Sequence, residues 1–182
     1  AIALNWRALD RLSAPGVQTA GVVKADAYGL GAAEVGLALA RAGARRFFVA
    51  HAAEGMALRK VLGPGPQIAI LTGHLAGATE MIRDHDLTPM LSSLEQITRH
   101  LESLDFEPEM ILTSYHGIPK PYSDKGDPYR RHCLETTRLL REKLGWSEER
   151  LITTFQSRFG AQEWLQPYTD KTVEKLGHDG VK

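Results

Sequence analysis

Two short stretches hold side chains whose types and spacing could do chemistry. In Val22-Val23-Lys24-Ala25-Asp26-Ala27-Tyr28-Gly29-Leu30-Gly31 a lysine closes an apolar run, and a tyrosine follows four residues later. The C-terminal end of a buried strand is where parallel α/β folds bind their ligands. An amine held there and partly desolvated loses basicity and can attack a carbonyl to form a Schiff base. The commoner role of a strand-end lysine is a salt bridge, and the spacing to Tyr28 does not decide between them. In Thr113-Ser114-Tyr115-His116-Gly117-Ile118-Pro119 a histidine sits just past a strand end. Imidazole is the commonest metal ligand and titrates near neutrality, but a lone loop histidine is usually a hydrogen-bonding surface group. No second ligand stands at zinc-like spacing from it.

The other reactive types are less pointed. His51, His74, His85 and His100 are scattered and read as loop or surface residues, with His74 placed to line a pocket just past a strand. Cys133 is the only cysteine. It reads as a packing residue on a helix, and a single thiol points to a reducing compartment. Gly29-Leu30-Gly31 has no third glycine at the dinucleotide spacing. Gly63-Pro64-Gly65-Pro66 is a turn, and Arg45-Arg46 and Arg130-Arg131 are solvated pairs.

The elements that must position Lys24 and His116 alternate along the whole chain. Strands are predicted at residues 17–23, 46–50, 67–71, 88–91, 109–113 and 151–155. Pro89 places the fourth at a sheet edge. Helices are predicted at 5–12 (with Asn5 as cap), 32–42 (stopping at Gly43), 54–62, 76–85, 93–104, 129–144 and 170–176. Residues 114–128 read as a polar loop. Regular βα alternation implies a three-layer α/β/α fold around a mostly parallel sheet of about six strands. A partial TIM-like barrel is the alternative, because a closed eight-fold barrel needs about 250 residues.

Composition changes along the chain. Residues 1–104 hold 20 of the 21 alanines, whereas residues 105–182 hold one alanine but 9 of the 13 aromatics. Alanine usage rarely switches off inside one domain, so two segments of different origin are indicated. Equal numbers of basic and acidic residues, 22 each, give no general electrostatic reason to bind nucleic acid. No apolar run approaches the ~18 residues of a membrane span, and no secretory leader is visible.

The run at residues 22–31 closely resembles the pyridoxal-phosphate (PLP) signature of bacterial alanine racemases. The resemblance continues through Arg46-Phe47-Phe48-Val49-Ala50, Glu54-Gly55-Met56-Ala57-Leu58-Arg59 and Leu91-Ser92-Ser93-Leu94-Glu95-Gln96. It implies early strands of a TIM barrel. It also implies that Lys24 would carry PLP covalently and act as a racemisation base, with Tyr28 contacting the cofactor phosphate. The run around His116 resembles the ferrochelatase signature, as do Lys125-Gly126-Asp127-Pro128-Tyr129, Cys133-Leu134-Glu135-Thr136-Thr137, Phe155-Gln156-Ser157-Arg158-Phe159-Gly160 and Glu163-Trp164-Leu165-Gln166-Pro167-Tyr168-Thr169. It implies that His116 would lie in a porphyrin cleft as metal ligand or proton acceptor.

Both patterns break off. The later racemase strands, with most of the phosphate cup, and the opposing tyrosine base do not follow, nor does the ferrochelatase glutamate opposite the histidine. The chain is therefore expected to be a chimera of segments 1–99 and 100–182, joined near residues 97–104 into one fused α/β domain that unfolds in a single transition. Neither parent reaction is expected. No cofactor is expected, with weak PLP binding at Lys24 and Tyr28 and metal or porphyrin binding at His116 as alternatives. A homo-oligomer is expected because interrupted sheets leave apolar edges. The expected location is cytoplasmic.

Overall fold

A computed structural model describes residues 1–13 and 17–181. The chain divides into two compact units, Ala1–Leu104 and Asp105–Lys182. This boundary lies between Ala78, the last alanine before Ala161, and Phe106, the first aromatic residue after Phe48.

The first unit runs α1 (Ile2–Asp10), β1 (Gly21–Val22), α2 (Lys24–Gly29), α3 (Ala32–Ala42), β2 (Arg46–Val49), α4 (Ala52–Leu62), β3 (Gln67–Ile70), α5 (Thr79–Asp84), β4 (Leu87–Pro89) and α6 (Leu94–Glu102). Its four strands form one sheet in the order β1-β2-β3-β4, every pair parallel. The core packs Val35 and Leu39 of α3 and Leu58 of α4 with Phe47, Val49, Ile68 and Ile70 of the two central strands. Phe47, Ile68 and Ile70 are fully buried, each contributing about 1.5–3 kcal/mol by leaving water. Gly36 lets α3 approach α4: a Cβ there would come within 2.8 Å of Leu58 Cδ1.

The second unit runs β5 (Ile111–His116), α7 (Lys120–Asp124), α8 (Tyr129–Leu144), β6 (Leu151–Gln156) and α9 (Thr169–His178). β5 and β6 pair in parallel over six residues, from Ile111 opposite Leu151 to His116 opposite Gln156. A two-stranded sheet is marginal alone, and here Cys133 of α8 packs with Phe155 and Leu165.

Among the described residues six strands, all parallel, match the count and sense read from the sequence; hydrogen bonding distributes them over a four-stranded and a two-stranded sheet. Pro89 stands on the terminal strand as expected. Met90 N–H reaches Ile70 O at 2.9 Å, so by ladder alternation Pro89 faces away from β3 and its missing N–H breaks no pair.

Several boundaries shift for identifiable reasons. β1 keeps only two residues of the predicted 17–23, because the carbonyl of Thr19 accepts from the Trp6 indole (3.1 Å) and that segment is tied to α1. α1 starts at Ile2 without using Asn5 as its cap. α5 begins at Thr79 because Gly77 takes φ +77, outside the helical basin. α7 interrupts the predicted loop. β5 extends to His116, which is therefore the last strand residue and not one beyond it. The turn at residues 63–66 is held by a residue not singled out: Arg59 donates to the carbonyls of Gly63, Pro66, His85 and Asp86 at 2.7–3.0 Å.

Phe47→Ala removes the largest fully buried side chain of the first unit. It is expected to cost about 3–5 kcal/mol in urea unfolding. A loss below about 1 kcal/mol would contradict its place at the centre of the core.

Candidate functional site

Parallel pairing brings the C-terminal ends of β1, β2 and β3 to one edge of the sheet. Lys24 follows the last buried residue of that first strand end, Val23, whose N–H donates to Phe48 O at 2.9 Å. Lys24 itself is half-buried. The next four residues, Ala25, Asp26, Ala27 and Tyr28, all have φ between 50° and 58°, so α2 is one turn of left-handed helix. Ala27 N–H closes it on Val23 O (3.0 Å) and Gly31 N–H on Asp26 O (2.9 Å). The turn folds Tyr28 back toward the lysine, with Lys24 Nζ 6.0 Å from the ring centroid. Amine and phenol thus share one side of the strand end, as their spacing alone does not reveal.

Two carboxylates bracket this turn. Glu54, in the first turn of α4, accepts from Ala25 N–H with Oε1 (2.9 Å) and from Ala50 N–H with Oε2 (2.7 Å). Asp26 Oδ1 accepts from Ala32 N–H (2.7 Å) at the start of α3. Sequence reasoning gave neither residue a role. The available signal was the acid at the third position of a helix entered by His51, whose Nδ1 accepts from Glu54 N–H (3.4 Å). Beside this edge a cavity of about 220 Å³ opens between the start of α4 and residues 72–81, lined by His51, Thr72, Gly73, Ala76 and Met81.

His74 lies in the loop between β3 and α5, as read from the sequence, but it is fully buried and not at the surface. Its Nε2 meets Thr79 Oγ1 at 2.8 Å and its Nδ1 meets His100 Nδ1 at 3.2 Å, so the two rings share one proton. Arg99 Nη1 donates to His74 O at 2.8 Å. Burial, then His100, then Arg99 lower the His74 pKa, and burial lowers that of His100.

In the second unit His116 ends β5 with an exposed ring. Its Nδ1 lies 2.7 Å from Gly117 O. A carbonyl only accepts, so Nδ1 is the donor, and in the neutral ring Nε2 carries the lone pair. The same unit carries a hydroxyl network. Thr137 Oγ1 meets Thr113 Oγ1 and Tyr115 Oη, each at 3.1 Å. Thr154 Oγ1 donates to Thr113 O (2.9 Å) and meets Thr169 Oγ1 (2.8 Å). Cys133 is buried as expected, and burial pushes its thiol pKa up. Among the described residues no group of three His, Cys, Asp or Glu side chains could hold a metal ion. Among them, too, no helix is long and apolar enough to cross a membrane.

Parallel strands alternating with helices, with an amine and an imidazole at strand C-termini, define an α/β protein. The alanine racemase N-terminal domain profile matches residues 1–108, and the ferrochelatase profile matches residues 83–182. Each match takes in more than half of the chain, which therefore belongs to both families, one after the other. A ferrochelatase from Mesorhizobium japonicum is 86% identical over 86 residues, 47% of this chain and 24% of that protein. One from Brucella ovis is 69% identical over the same length. The chain thus spans about a quarter of the curated relatives it matches. The alanine racemase of Bartonella henselae, solved with covalently bound pyridoxal phosphate, superposes with TM-score 0.53 and 36% identity over 62% of this chain and 32% of that one. The biosynthetic alanine racemase of Pseudomonas aeruginosa gives 0.55 and 26% over 100% and 49%.

The histidine pair sets a pH dependence. Both folded-state values lie below the ordinary 6.5, so the unfolded chain binds protons first as pH falls. Stability should be fully present above about pH 6.5 and decline below it. His100→Asn should flatten that decline in urea midpoints measured from neutral to mildly acid pH. An unchanged slope would contradict a shared proton.

Proposed function

We propose that the chain is a fused scaffold that performs neither parent reaction. Its remaining chemistry is capture of a phosphorylated aldehyde, PLP, by Lys24. The observation that carries this reading is the left-handed turn, which sets a half-buried amine and a phenol side by side at a strand C-terminus. These residues fit the two ends of such a molecule: Lys24 offers an amine for the aldehyde and Tyr28 a hydroxyl for a phosphate oxygen. When bound, PLP supplies an electron sink for carbanions. Lys24 would hold it and could move a proton on one face only. Ferrochelatase-type sequence takes over before a second base is supplied, so racemisation is not proposed. With one phosphate contact, affinity should be weak.

Borohydride reduction after PLP addition should fix an adduct on Lys24, located by peptide mass. Yield no higher than in Lys24→Ala would overturn the reading. Tyr28→Phe should lower the yield without abolishing it.

A second reading rests on the His116 tautomer, which leaves Nε2 free for a divalent metal or the edge of a porphyrin. Titration with Zn²⁺ and with protoporphyrin should show weaker binding in His116→Ala; equal affinities would remove it. The fusion is further proposed to unfold as one domain and to self-associate, the latter supported by exposed Leu4, Leu9 and Leu12. Two separated unfolding transitions, or a monomer by light scattering, would count against these points.

A further inference from the structure

We infer that Glu54 is a positioning residue for Lys24: its carboxylate locks the entry of the left-handed turn. With Asp26 at the exit, it holds Lys24 and Tyr28 at the spacing that takes the two ends of a phosphorylated aldehyde. This inference rests on the proposed reading of Lys24. Successive non-glycine residues in the left-handed basin each cost about 1–2 kcal/mol, so Ala25–Tyr28 keep that conformation only where tertiary contacts impose it. Such contacts hold both ends. Ala25 N–H belongs to the peptide directly after Lys24, and Glu54 Oε1 fixes that peptide's plane at 2.9 Å. The same carboxylate's other oxygen takes Ala50 N–H at 2.7 Å, just past β2. One side chain therefore couples the ends of two neighbouring strands. At the exit, Asp26 Oδ1 binds the first N–H of α3 while its own carbonyl accepts from Gly31.

A carboxylate suits the place because it only accepts, and here two oxygens meet two donors. An amide would turn its NH₂ on one of those N–H groups. The charge also sits in the first turn of an eleven-residue helix, where the dipole favours it. Glu54 touches neither the amine nor the phenol, so its effect passes through the backbone.

The test compares Glu54→Ala, Glu54→Gln and the core control Ile82→Ala with the unsubstituted 182-residue chain. Three readouts are taken: the borohydride-fixed yield on Lys24, the preference for PLP over unphosphorylated pyridoxal, and amide exchange at Ala25 and Ala50 without PLP. Glu54→Ala should lose roughly tenfold in yield, the equivalent of one charge-assisted hydrogen bond. Its preference for PLP should fall toward unity, because amine and phenol no longer keep their spacing, and both amides should exchange faster. Glu54→Gln should fall between it and the native chain. Ile82→Ala destabilises the same unit and should leave the preference unchanged. Native preference with native protection in Glu54→Ala would overturn the inference, as would an equal loss of preference in Ile82→Ala. Absence of any Lys24 adduct in the native chain would instead overturn the reading of Lys24, and amide exchange alone would then decide whether the clamp exists.

Discussion

The parallel ladder is the constraint on which the sites depend. In a parallel pair every strand ends in the same direction, so the segment after each strand is delivered to a common edge. In the first unit that edge gathers Lys24 after β1, Ala50 and His51 after β2, and Thr72 and Gly73 after β3. Residues nearly fifty positions apart in sequence become neighbours without any contact having to select them individually. In the second unit the same rule sets His116 opposite Gln156 at the shared end of β5 and β6. An antiparallel arrangement would scatter these groups to opposite ends. Short apolar strands and small helices suffice because they only have to hold direction and register.

Direction alone does not make a site. After Val23 the chain turns back sharply enough to bring Tyr28 to Lys24, and it does so through four successive left-handed residues. The left-handed turn does this at a cost that its own residues do not offset, since only Gly29 beyond it is free of a Cβ. The compensation is hydrogen bonding, from Glu54 and Val23 outside the turn and from Asp26 within it. Two carboxylates satisfy N–H groups that a loop would otherwise leave to water, and Val23 O and Asp26 O close the backbone. Asp26 Oδ1 moreover serves α3 as an N-terminal acceptor, so turn and helix share one residue.

How much of this was legible depends on the range of the interaction. α3 and α8 were readable to the residue, because their bounds are set by local signals, Gly43 and Gly145 at their C-terminal ends and a small-apolar or amphipathic period within. The strand-end position of Lys24 and the edge position of Pro89 followed from local pattern too. The left-handed turn did not, because alanine, aspartate and tyrosine carry no preference for it and the residue that holds its entry lies 29 positions away. The loop position of His74 was legible but its burial was not, for the same reason: one of its ring partners, His100, lies 26 positions on. The hydroxyl network of the second unit was equally invisible, since Thr113, Thr137 and Thr154 look like ordinary strand and helix threonines until β5 lies beside β6.

The position of the join is itself a physical statement. Alanine-rich sequence ends at Ala78 and aromatic-rich sequence begins at Phe106, with the boundary between units after α6 and before β5. The two family profiles overlap over residues 83–108, which enclose that boundary. The ferrochelatase match of 86 residues is longer than the segment from Asp105 to Lys182, so ferrochelatase-type sequence begins at or before residue 97, within or ahead of α6 and not in the loop that follows it. A junction in that stretch leaves the six-residue ladder of β5 and β6 wholly inside the ferrochelatase-type segment. It also keeps a helix followed by a strand, the order that parallel βα units require. Lys24 and Tyr28 lie ahead of the overlap of the two profiles and His116 lies after it, so each strand end carries residues of one family alone.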